Sequence, residues 1–103
     1  MRHRKSNSVQ GGVLYSPSIL WPGIVVDTAE WYAWLNEAEQ FHYEDTTTSY
    51  TARKEWRGAC DFWYAYTKID GKLRKHYLGK SFDLTPGRLH DAAKHFYALV
   101  SVG

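Results

Sequence analysis

The stretch Asp61-Phe62-Trp63-Tyr64-Ala65-Tyr66-Thr67-Lys68-Ile69, then Asp70-Gly71, then Lys72-Leu73-Arg74-Lys75-His76-Tyr77-Leu78-Gly79, decides the fold. Its first nine residues are rich in aromatic and β-branched side chains, the composition of a strand. Asp-Gly is the dipeptide that a two-residue type I′ turn prefers, because both central residues need positive φ. With Asp70 and Gly71 as the loop, Ile69 pairs with Lys72, Tyr66 faces Lys75 and Tyr64 faces Tyr77. Directly opposed residues point to the same side of a sheet. One side of the hairpin then carries Tyr64, Tyr66, Lys68, Leu73, Lys75 and Tyr77. The other carries Trp63, Ala65, Thr67, His76 and Leu78, with Ile69, Lys72 and Arg74 nearer the turn. A slip of one residue would exchange the two sets, so the turn is what assigns them.

Downstream, Thr85 is a good N-cap, Pro86 suits the first helical position, and Leu84 with Leu89 makes a hydrophobic staple. Leu89, Ala92, Ala93, Phe96, Leu99 and Val100 then recur at helical spacing, which predicts a helix over 86–100. Its two alanines allow close approach to a sheet. The Trp63, Ala65 and Leu78 side is the apolar one and is expected beneath it, leaving the tyrosine–lysine side in water. Upstream, residues 48–57 mix β-branched, aromatic and charged residues as a half-exposed strand does, and Phe41-His42-Tyr43 begins another. Asp27 as cap, with Glu30 three residues on, opens a short amphipathic helix over 28–39. Two prolines and a glycine make 13–26 an extended segment, expected to tuck Leu14, Ile19, Leu20 or Trp21 against the domain. Residues 1–12, polar and basic and ending in Gly-Gly, read as a disordered arm. The expectation is one α+β domain over 27–103: a three- or four-stranded antiparallel sheet on a C-terminal helix, with a short N-terminal helix.

The 103 residues are enough for one domain, and 44% hydrophobic residues with 23% charged are ordinary for a globular chain. Aromatics, at 17%, are in excess. They serve equally for a compact core and for stacking or interface contacts. The longest apolar runs are five residues, so no membrane span is expected, and Met1-Arg2-His3-Arg4-Lys5 has no apolar stretch behind it to make a secretory signal. The single Cys60 excludes an internal disulfide and a multi-cysteine zinc site. A cytoplasmic location follows as the expectation. The net charge of +2 hides a segregation: residues 21–47 hold six acids and no Lys or Arg, whereas 49–80 hold eight bases against three acids. Such asymmetry points to a polyanion-facing half or to a solvated charged face.

No glycine-rich phosphate loop, paired catalytic carboxylates or Ser/His/Asp arrangement is present. His90 and His95 are five apart and share no helix face, and His76 reads as a core histidine. No enzymatic activity, cofactor or metal is therefore expected. The exposed sheet face carries the functional expectation instead. Strands can enter the DNA major groove, where base edges are distinguishable. Arg53, Arg57, Lys68, Lys72 and Lys75 are the expected phosphate or base contacts, with Tyr64, Tyr66 and Tyr77 as the aromatic platform and the basic arm at 2–5 assisting. Duplex DNA is favoured over RNA. The alternative is a protein–protein adaptor or homodimerising module that uses the same aromatic face.

Four runs carry a resemblance: Thr51-Ala52-Arg53-Lys54-Glu55, Phe62-Trp63-Tyr64-Ala65-Tyr66, the segment from Gly71 to Lys80, and Leu84-Thr85-Pro86-Gly87-Arg88-Leu89. Over about residues 13–98 the chain resembles a short region of large ATP-binding LuxR-type transcriptional regulators and small stand-alone bacterial proteins. More loosely, it is similar to the plant ethylene-response-factor DNA-binding domain and to the arm-binding domain of tyrosine recombinases. Both of those dock a three-stranded sheet into the major groove. In the plant domain an aromatic before Leu-Gly contacts DNA, and Tyr77 holds that place here; Tyr64, Tyr66 and Lys68 match its alternating second-strand contacts. The resemblance implies a small DNA-binding protein with a role in transcription regulation.

Overall fold

The computed structural model describes residues 7–46 and 48–101. The basic residues at 2–5 lie outside the described residues. The element order is β1 (Ser8–Gln10), β2 (Val13–Tyr15), β3 (Ile24–Val25), α1 (Ala29–Glu37), β4 (Gln40–Glu44), β5 (Ser49–Arg57), β6 (Cys60–Ile69), β7 (Lys72–Gly79), a 3-10 turn at Ser81–Asp83, and α2 (Pro86–Ser101). All strands join one sheet in the order β3-β2-β1-β4-β5-β6-β7.

The class is α+β, but the expected three or four antiparallel strands are corrected to seven in a mixed sheet, and three strands precede α1. The extra strands come from residues 8–25. Gly11 and Gly12 both have positive φ, at 58° and 79°, so the Gly-Gly read as the end of a tail is a two-residue hairpin loop. It pairs Val9 with Leu14, and β1 then adds parallel to β4 with Val9 beside Tyr43. Leu14 is buried and Ile19 half-buried, whereas Leu20 and Trp21 stay exposed at the tip of the following loop.

The hairpin at the centre of the sequence has the expected register. Asp70 and Gly71 sit at φ 54° and 78°, and Tyr64 pairs with Tyr77, Tyr66 with Lys75, Lys68 with Leu73 and Ile69 with Lys72. A bulge follows: Trp63 pairs with Gly79, leaving Leu78 as the extra residue. Trp63 and Leu78 are both fully buried, on the side that the turn assigns them. Gly79 has φ 115°, and a Cβ there would lie 2.8 Å from the Asp83 carboxylate, which accepts from the Lys80 amide. Only glycine fits where the chain turns from β7 toward α2.

Both helices lie on one side of the sheet. The cap of α1 is Thr28 rather than the expected Asp27: the Thr28 hydroxyl accepts from the Trp31 amide at 3.3 Å, and Asp27 takes positive φ just before it. In α2 the Thr85 hydroxyl accepts from the Arg88 amide, and Leu84 and Leu89 are both buried as the staple requires. The core runs from Val9 and Leu14 through Trp31, Leu35, Phe41 and Tyr50 to Trp63, Ala65, Leu89, Ala93 and Phe96. Its buried polar atoms are paired. Trp31 Nε1 donates to the Leu84 carbonyl at 2.8 Å, and the Tyr50 hydroxyl donates to the Leu89 carbonyl at 2.9 Å. Lys54, on the covered side of β5, lies over the Trp63 ring and donates to the Leu35 and Asn36 carbonyls at the end of α1. A cation is favourable against the negative end of a helix.

His76 on β7 is half-buried and stacks on His95 of α2, ring centroids 4.3 Å apart. Burial first, then the charges of His95 and Arg88, hold its pKa below the ordinary value of 6.5. The unfolded chain therefore binds this proton at a higher pH than the folded one, and stability falls as pH drops below about 6.5. Melting followed between pH 7 and 5 should show that loss, reduced in His76→Gln. An unchanged pH profile in the variant contradicts the assignment.

Candidate nucleic-acid interface

Among the described residues, no helix covers the other side of the sheet. Strand alternation places Arg53, Glu55 and Arg57 of β5, Phe62, Tyr64, Tyr66 and Lys68 of β6, and Leu73, Lys75 and Tyr77 of β7 on this outer face. Seven of the eight predicted site residues are thereby brought together: Arg53, Arg57, Tyr64, Tyr66, Lys68, Lys75 and Tyr77. Lys72 is not among them. Its partner is Ile69, so it lies on the helix side at the hairpin tip, as does Arg74 opposite Thr67.

Cross-strand pairing sets the geometry. Arg53, Tyr64 and Tyr77 form one row across the three strands, and Thr51, Tyr66 and Lys75 form the next. Tyr64 meets Tyr77 edge-on at 5.6 Å, and Phe62 lies 6.0 Å from Tyr77. The cations rest on these rings. Lys75 Nζ is 4.3 Å from the Tyr64 centroid and 5.6 Å from that of Tyr66, Arg57 is 5.2 Å from Tyr64, and Arg53 is 6.0 Å from Tyr66. Each such contact at an exposed site is worth about 0.5–1 kcal/mol, enough to order a side chain without locking it.

Glu55 lies among these cations, and sequence reasoning did not single it out. Its Oε1 accepts from Arg57 Nη2 at 2.7 Å and from Lys75 Nζ at 3.3 Å. The signal was available: Arg53, Glu55 and Arg57 alternate along one strand, so all three share a face. Phe62 was missed in the same way, being on the parity of Tyr64 and Tyr66. Pairs of this exposure contribute only about 0.2–1 kcal/mol each, so the Glu55 carboxylate is a replaceable partner.

Two shallow depressions lie on the β5–β7 part of this face. One of about 390 Å³ is lined by Arg57, Phe62, Tyr64 and Tyr77. The other, about 500 Å³, includes Thr51, Arg53, Tyr66, Lys68 and Leu73. Farther along the sheet, β4 presents Gln40, His42 and Glu44 on the same side, so the positive charge is confined to the β5–β7 end.

Elsewhere, a cleft of about 570 Å³ between the β1–β2 turn, the end of β4 and the start of α2 holds His90, whose Nδ1 lies 2.7 Å from Asp45 Oδ2. Tyr43 donates to the same carboxylate, and burial followed by the Asp45 charge pushes its hydroxyl pKa up to about 12. This cluster ties α2 to the β4–β5 turn. Cys60 is half-buried at the β5–β6 turn. Among the described residues, no group of three or more His, Cys, Asp or Glu side chains is placed to hold a metal ion, and no helix is long and apolar enough to cross a membrane.

Compared with known proteins, the chain matches no family model, no curated protein and no solved structure.

Proposed function

We propose that this chain binds nucleic acid through the outer face of β5–β7, as a small DNA-binding regulator or accessory protein. One observation carries the reading: an uncovered sheet face on which Tyr64, Tyr66 and Tyr77 are interleaved with Arg53, Arg57, Lys68 and Lys75, against the single acid Glu55. Phosphates supply the anions such cations neutralise, and sugars and bases supply flat or apolar groups for the rings.

The test is titration of a labelled mixed-sequence oligonucleotide, single-stranded and duplex, at 50 and 200 mM salt. Affinity should fall steeply with salt, and Lys75→Ala should lessen the log–log slope by about 0.7–0.9, one phosphate contact. The second reading, an adaptor or homodimer, draws on the exposure of Leu73 and Tyr77 beside the open edge of β7. Absence of binding at low salt, together with a dimer in solution, would transfer the face to that reading.

A further inference from the structure

Resting on the nucleic-acid reading, we infer that the face takes a single strand rather than a duplex: an unpaired base stacks on Tyr77 with Phe62 against its edge, and its phosphate displaces the Glu55 carboxylate from Arg57 and Lys75.

Width is the first argument. The major groove is about 12 Å across and admits a helix or a two-stranded ribbon. Here seven strands lie side by side. At ~4.8 Å between neighbours the sheet spreads over roughly 29 Å, and β4, followed by β1, extends it beyond β5, so β5–β7 cannot enter a groove as a separate ribbon and only their β7 edge is open. A duplex would meet only the crest of this face.

Chemistry is the second. A ring recognises a base through its flat π-face, and in a duplex those faces are hidden in the stack, whereas an unpaired base offers both. The depression bounded by Phe62, Tyr64, Tyr77 and Arg57 is three rings and one guanidinium, and Tyr77 is 49% exposed. That set suits a flat heterocycle with an acceptor edge. Phosphates alone would need no rings.

The third argument is the position of Glu55. The protein already holds an oxygen anion between Arg57 and Lys75, at 2.7 and 3.3 Å, beside the base-sized depression. A phosphate oxygen presents the same charge and accepting geometry to the same donors. The second depression, around Arg53, Tyr66 and Lys68, lies on the far side of Lys75, where the next nucleotide would run. Glu55 thus sets the affinity. Any strand that binds must replace it, and the repelled carboxylate is a cost that every bound phosphate meets.

The experiment is fluorescence anisotropy of the full chain with a mixed-sequence oligonucleotide of about 12 nucleotides, single-stranded and as its duplex, at one low salt concentration. The single strand should bind at least tenfold more tightly. Tyr77→Leu, which keeps an apolar side chain at an exposed position, should weaken single-strand binding about tenfold, and Tyr77→Phe should restore it. Glu55→Gln should tighten binding several-fold. Duplex binding as tight as single-strand binding, a silent Tyr77→Leu, or an unchanged Glu55→Gln overturns the inference while leaving the nucleic-acid reading in place. Failure of both forms to bind removes the two together.

Discussion

Trp31→Ala is expected to lower stability by about 4 kcal/mol or more, a large part of the 5–15 kcal/mol typical of a domain. Two costs add. Truncating a fully buried tryptophan forfeits its transfer free energy and leaves a cavity, about 3–5 kcal/mol. The buried Leu84 carbonyl also loses the hydrogen bond from Trp31 Nε1 at 2.8 Å, for a further ~1–3 kcal/mol. The rings of Trp34 and Phe41 pack on Trp31, and Phe41 in turn packs on Trp63, so the cavity opens between α1 and the middle of the sheet. The melting temperature should drop by about 15–30 °C. Trp31→Phe keeps a ring but not the donor and should lose roughly half as much. Urea denaturation followed by circular dichroism measures both. A Trp31→Ala midpoint near that of the parent would mean that α1 is not anchored as described.

The largest effect on binding is expected from Arg53→Ala, Arg57→Ala and Lys75→Ala combined. Three lost phosphate contacts should reduce the salt slope by about 2 and the low-salt affinity by about 100-fold or more. Stability should change little, because the partners of these cations are half-buried rings and one partly exposed carboxylate, each worth about 1 kcal/mol or less. Lys72→Ala with Arg74→Ala is the informative comparison. Those residues belong to the same strand and the same basic segment, but face the helix side. Their loss should weaken binding less than threefold. Equal effects per charge would show that general electrostatics, not this face, makes the contact.

The part of the fold legible in the sequence was the part written in adjacent residues. Asp70-Gly71 admits one tight turn, and from that turn the sidedness of Tyr64, Tyr66, Lys75 and Tyr77 followed by counting. The same counting placed Lys72 opposite Ile69, so its separation from the other contacts was already implied. The bulge at Leu78 was not legible, because it depends on Gly79 and Asp83 meeting after the strand has ended. The first three strands escaped notice for another reason. Elements of three, three and two residues are too short to show alternation, and β1 earns its place only by pairing with β4, more than thirty residues away. Glu55 was visible as a residue but not as a partner, since the reading weighed charges along the chain rather than across strands.

The β1–β4 pairing also bears on how the molecule assembles. Strands β5, β6 and β7 form a meander whose partners are close in sequence, so it can organise early and locally. The Gly11-Gly12 hairpin must wait until β4 is in place, because β4 is its template and the intervening loop and α1 must close first. Amide protons of residues 8–25 should accordingly be the first to exchange with solvent. The strands that carry the rings and cations then form the slowest-opening unit of the molecule, rigid before anything is bound to them.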